Sequence, residues 1–191
     1  PVTIVSATRL HRKKRPRQLL LAFSRAATRA RVPARLLIAG DGPERARLER
    51  DIRALGLDGG AATAQCVGWL PADRLGALYA EAHAFAIASL NESFGIAALE
   101  ARASGLPVIA MRRAGTSEFI THDQDGLLCD DDDDLARALE SVMRDPTRLS
   151  APSVSAPLAR HDWEAVLDAH DNVYALARSR TSTAAWGAGT A

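Results

Sequence analysis

The 191 residues are 47% hydrophobic and 25% charged, ordinary values for a globular chain with enough apolar material for a sizeable core. A net charge of +1 excludes bulk electrostatic attraction to nucleic acid or to a membrane as the organising property. The charge is uneven, however. Arg9, Arg12, Lys13, Lys14, Arg15 and Arg17 crowd one short stretch, and Asp130 to Asp134 form an unbroken acidic run.

Val2 to Ala7 is apolar and β-branched, which predicts a first strand. A chain that opens directly on a strand is expected to be one domain of a longer protein. After the basic loop, Pro16 suits the first turn of a helix, and Leu19, Leu20, Phe23, Ala26, Ala27 and Ala30 follow at helical spacing. Arg35 to Ala39 predicts a second strand, and Gly40-Asp41-Gly42 a turn from which Pro43 starts a helix. Leu48, Ile52 and Leu55 give that helix a buried face, and Gly56 can end it. Gln65 to Val67 predicts a short third strand, and a helix follows over about 72–82.

Phe85 to Ser89 predicts a fourth strand, Pro107 to Met111 a fifth and Leu127 to Cys129 a last short one. Between them lie a helix ending at Gly105 and a short helix near 117–120. Leu135, Ala138, Leu139 and Val142 mark another helix, with the acids before it placed to favour its positive end. Residues 145–160 read as an irregular connection, and Trp163 to Leu176 as a final helix. Residues 1–178 are thus read as one domain, and 179–191 as a disordered tail.

Strand and helix alternate, and most strands are continuous apolar runs. That pattern predicts an α/β fold, a Rossmann-like parallel sheet of about six strands with helices on both faces. Ligands of such sheets bind at the carboxyl ends of the strands. The loops at 8–15, 40–43, 68–71, 90–96 and 112–118 all follow strands and are expected to converge on one edge. Cys66 and Cys129 fit no metal or redox spacing, so both are read as reduced thiols, which predicts a cytoplasmic location. The five histidines show no ligand spacing.

The organising stretch is Asn91 to Glu100. Gly95 stands where a helix begins, and the first N–H groups of a helix lack partners within it and so suit an anion. Glu92 and Glu100 bracket that start. Donors for a phosphate beside carboxylates for hydroxyl groups suggest a nucleotide-sugar. Taken residue by residue, a solvated basic loop and a helix-capping Glu with a surface Glu are also consistent. Against a surface role, Glu100 falls among Ile96, Ala97, Ala98, Leu99 and Ala103.

The run Glu92-Ser-Phe-Gly-Ile-Ala-Ala-Leu-Glu100 resembles the E-x7-E motif of the family 4 glycosyltransferases, retaining enzymes of the GT-B fold. Further signals occur in that family's order. Thr8-Arg9-Leu10 with Lys14 resembles its G-R-L-x-x-x-K, and Gly40-Asp41-Gly42-Pro43 matches its G-D-G-P. Gly68-Trp69-Leu70 falls at its G-x-[VL] turn, Ser104 to Val108 matches S-G-x-P-V, and Gly115 with Glu118 resembles G-x-x-E. Thr8, Ala88 and Ser117 depart from the usual Gly or Ala, Pro and Pro.

The resemblance implies the donor-binding half of such an enzyme. Arg9 and Lys14 would hold the donor diphosphate, helped by the N–H groups of Gly95 and Ile96, and Gly40 would be a further donor-binding residue. Glu92 would contact sugar hydroxyls, Glu100 the ribose, and the backbone near Trp69 and Leu70 the base. Arg9, Lys14 and Glu92 would be the catalytic set. No metal or other cofactor is implied, the nucleotide-diphosphate sugar being a co-substrate. The acceptor is unspecified and would sit on an N-terminal domain supplied in cis or in trans. The basic loop lacks the interleaved aromatics and wider basic face of a nucleic-acid partner's site, and the resemblance allows peripheral membrane association of the whole enzyme. By itself the chain is expected to transfer little or nothing. A non-catalytic binding module, a split-enzyme subunit and a nucleotide-sugar epimerase are the alternative readings.

Overall fold

The computed structural model describes residues 1–149. Six strands form one sheet: β1 (Val2–Ala7), β2 (Ala34–Ala39), β3 (Ala62–Gly68), β4 (Ala84–Ala86), β5 (Val108–Met111) and β6 (Gly126–Cys129). All pair in parallel, in the order β3-β2-β1-β4-β5-β6. The chain moves outward from β1 in one direction and returns to continue in the other, so the order reverses between β1 and β4. A crevice opens at that point because the connections on its two sides diverge.

Among the described residues four helices connect strands, α1 (Pro16–Ala30), α2 (Arg45–Ala54), α3 (Ala72–Ala80) and α4 (Ile96–Ala103), and α5 (Asp132–Arg144) follows β6. Successive strand residues point to opposite faces, and the core is accordingly double. Ile4, Leu36, Ala86 and Ile109 pack with Leu19, Leu20 and Phe23 of α1, Leu48 of α2 and Leu135 and Leu139 of α5. Val5, Phe85, Val108 and Leu128 pack on the other face with Tyr79 of α3 and Ala98 and Ala101 of α4. Phe23, Phe85 and Phe119 are fully buried, each a burial of roughly 1.5–3 kcal/mol.

The expected fold class is therefore what the chain adopts. The differences are at boundaries. Pro43 does not open α2, which begins at Arg45 after a turn. β3 runs the length of β2 because it pairs along all of it, with one register shift between Ile38 and Ala39, well beyond the short apolar core of the segment. β4 spans Ala84–Ala86, so it starts just before the expected Phe85 to Ser89 run and stops well short of its end. The short helix before β6 is a 3-10 turn over Gly115–Glu118, slightly earlier than expected. The acidic run does cap α5: the Asp131 carboxylate accepts from the Asp134 N–H at 2.7 Å. Cys66 and Cys129 lie buried and free in β3 and β6. The helix expected over 163–176 and the tail after it lie outside the described residues.

Candidate donor-binding cleft

The loop after β1 folds through a 3-10 turn at Arg12–Lys14, capped by His11, whose Nδ1 accepts from the Lys13 N–H at 3.3 Å. That turn carries Lys14. Arg15 then adopts left-handed backbone at φ 54 and leads into Pro16 at the start of α1. The Arg15 guanidinium donates to the Ala88 carbonyl at 3.2 Å, just past β4, and to both Asp132 oxygens at 2.9 and 2.8 Å. It thus ties the lysine loop to the end of β4 and to α5.

The loops after β1 and β2 are interlocked. The Thr8 N–H donates to the Ala39 carbonyl and the Leu10 N–H to the Asp41 carbonyl, at 3.0 and 2.9 Å. Gly40 sits at φ +126, and a Cβ there would fall on the Thr8 carbonyl. Only glycine permits both that backbone and that approach. Gly95 heads α4 at φ +84, where a Cβ would press on the Thr116 methyl. Its own N–H and those of Ile96 and Ala97 precede the first helical hydrogen bond. The loop after β5 buttresses this one, with the Gly115 N–H donating to the Glu92 carbonyl at 2.8 Å.

These loops form two adjoining hollows along the carboxyl ends of β1 and β4. One, of about 330 Å³, is lined by Arg9, Lys14, Ser89, Glu92, Gly95 and Ile96, among others. The other, of about 460 Å³, is walled by Gly40, Asp41, Trp69, Leu70 and Leu75. Ala7, Thr8, Arg9 and Ala97 belong to both, so the two are one cleft. Eight of the nine residues expected at a site, Arg9, Lys14, Gly40, Trp69, Leu70, Glu92, Gly95 and Ile96, lie on its walls. Four of the five expected loops form it, and the fifth, at 112–118, supports it from behind.

The ninth residue is placed differently. Glu100 is exposed on α4, one turn beyond Ile96, and lines neither hollow. Its charge is felt instead at the Tyr79 hydroxyl, which donates to the Ala97 carbonyl at 3.3 Å. Burial first, and then Glu100, push the Tyr79 pKa upward. The apolar neighbours that argued against a surface position for Glu100 divide around the helix, and Ile96 on its own face is 67% exposed.

Charge is distributed unequally in the cleft. Lys14 Nζ stands 2.7 Å from Glu92 Oε2, an ion pair that the sequence did not foreshadow. Arg9 is exposed and makes no ion pair among the described residues. Trp69 is 72% exposed at the rim of the larger hollow. Arg15 also escaped the sequence reading. Its one signal is its place before Pro16, where right-handed helical backbone is disfavoured.

A cleft at the reversal of strand order, with cations and a helix start at one end and apolar walls at the other, is what a nucleotide-bearing ligand requires. The sequence pattern of the family described as glycosyl transferases group 1 matches residues 1–156. The chain belongs to that family. It is 36% identical over 160 residues to the D-inositol 3-phosphate glycosyltransferase of Rhodococcus opacus (strain B4), covering 78% of this chain and 35% of that protein. It is 37% identical over 164 residues to the protein of the same name from Corynebacterium urealyticum, covering 82% and 38%. The chain thus spans well under half the length of these relatives. A crystal structure of Anabaena Alr3699/HepE in complex with UDP and glucose superposes with a TM-score of 0.71 at 21% identity, covering 92% of this chain and 48% of that one. That likeness is one of fold, and it identifies the glycosyltransferase chain's sheet as one half of a GT-B architecture. Among the described residues no helix is long and apolar enough to cross a membrane.

Proposed function

We propose that this glycosyltransferase chain is the donor-binding half of a retaining enzyme, holding a nucleoside-diphosphate sugar whose sugar passes to an acceptor. The observation that carries the reading is the continuity of the two hollows through Thr8, Arg9 and Ala97. One ligand can lie across both, with its diphosphate between Arg9, Lys14 and the Gly95 and Ile96 N–H groups. Its base then fits the hollow of Gly40, Trp69 and Leu70, and its sugar reaches Glu92. Glu100 serves the ribose from the exposed face of α4.

In the transfer, the bond between the anomeric carbon and the diphosphate oxygen breaks with its electron pair leaving on the nucleoside diphosphate. The acceptor hydroxyl oxygen bonds the anomeric carbon, and the hydroxyl proton passes to the departing diphosphate oxygen. The charge that develops there meets cations and N–H donors already in place, which lowers the barrier without reorganisation. Arg9 and Lys14 perform this role, and no metal is assigned one. The relatives' name, D-inositol 3-phosphate glycosyltransferase, supports glycosyl transfer to a hydroxyl acceptor. The acceptor is assigned to a facing N-terminal domain, in cis or in trans, and donor binding is the activity that the cleft itself accounts for.

Titration calorimetry of the 191-residue chain with UDP and with GDP tests the reading. Saturable binding of at least one is expected. If neither binds at millimolar concentration, the donor-binding assignment is wrong.

A further inference from the structure

We propose that the Lys14–Glu92 ion pair makes the cleft select the sugar-bearing nucleoside diphosphate over the bare one. The proposal rests on the donor-binding reading above and concerns what Glu92 does to a ligand that brings no sugar. The two side chains are 30% and 19% exposed, and they meet from loops that follow different strands. Both backbones are held. The Lys14 N–H donates to the His11 carbonyl at 2.8 Å, and the Glu92 carbonyl accepts from Gly115. Arg15, next to Lys14, is fixed on Ala88 and Asp132. The pair is therefore preformed, and Glu92 cannot leave Lys14 by a swing of a slack loop.

A bare diphosphate entering this hollow has to compete with the Glu92 carboxylate for Lys14, and it meets a like charge at close range. A nucleotide-sugar carries hydroxyl groups beyond its diphosphate. These donate hydrogen bonds to the carboxylate as Lys14 turns to the phosphate, so the charge that opposes one ligand accepts from the other. The same arrangement speeds loss of the nucleoside diphosphate once the sugar has gone. Arg9 has no such opponent among the described residues and attracts both ligands alike.

The test compares wild type with Glu92→Gln by calorimetry, using UDP, GDP and their hexose derivatives at low ionic strength. Glu92→Gln should bind the bare nucleoside diphosphate roughly threefold to tenfold more tightly, the size of one partly screened charge contact. Its affinity for the nucleotide-sugar should stay level or fall, so the preference for the sugar-bearing ligand shrinks. Added salt should reduce the gain. Should Glu92→Gln fold poorly, Glu92→Ser removes the same charge and is expected to act in the same direction. Wild-type binding of a bare nucleoside diphosphate that is equal or tighter than that of the folded variants overturns the proposal and leaves the donor-binding reading intact. Absence of nucleotide binding in every protein removes both.

Discussion

Gly40 and Lys14 show how differently two residues of one cleft can be tested. Gly40 has no room for a side chain, because its backbone is left-handed and Thr8 lies against it. Gly40→Ala should lower the unfolding free energy by about 1–3 kcal/mol in urea titration, the cost of a strained backbone plus displaced carbonyl. Lys14 costs the fold little, since its ion pair is partly exposed. Lys14→Ala should leave the urea midpoint nearly unchanged and weaken nucleoside-diphosphate binding about tenfold, as expected for one charged hydrogen bond. Glu100→Ala should weaken it less, because Glu100 stands outside the cleft walls. An effect as large as that of Lys14→Ala would mean that the ribose contact counts for as much as a diphosphate contact.

At the scale of elements, two arginines set the loops and the helix of the site. Arg15 bridges the lysine loop, the end of β4 and α5. Arg15→Gly accepts the left-handed backbone better, so stability should change by under about 1 kcal/mol while the bridge is lost. Nucleoside-diphosphate binding should nevertheless drop severalfold, measured by calorimetry, because the loop that carries Lys14 is no longer held at the cleft. Arg102 fixes the far end of α4. It pairs with Asp125 in the turn before β6, and both are buried, with the Asp125 carboxylate also accepting from the Thr121 N–H at 2.6 Å. Removing one partner strands a buried charge. Asp125→Ala should cost about 3–5 kcal/mol by denaturant unfolding, far more than loss of any exposed pair.

Across the described part of the molecule, the two-faced core sets the response to alkali. Burial pushes the Cys129 thiol from 9.0 up to about 12, helped by Asp134 and opposed by Arg112. Cys66 moves the same way, again through burial first. A thiol whose pKa is higher folded than unfolded favours folding while it stays protonated in both states. Its contribution is complete below pH 9.0 and is lost as the pH rises toward about 12. Melting temperature should fall across that window, and less steeply in Cys129→Ala than in wild type. Equal slopes would place the alkaline loss elsewhere, as at Tyr79, whose pKa is also raised.

The sequence by itself determined the alternation of strands and helices, the parallel sheet, the glycine that opens α4 and the charged and glycine residues that the cleft brings together. Those features are local. Apolar period, caps and turn residues act within a few positions of the backbone. Tertiary structure decided what local pattern does not encode. The order β3-β2-β1-β4-β5-β6 placed the loop of Lys14 against the loop of Glu92 and made them an ion pair. It also set apart the two glutamates that bracket the helix start, turning Glu92 into the cleft while α4 carries Glu100 outward. Such contacts join residues far apart in the chain, and they exist only once the strands have chosen their neighbours.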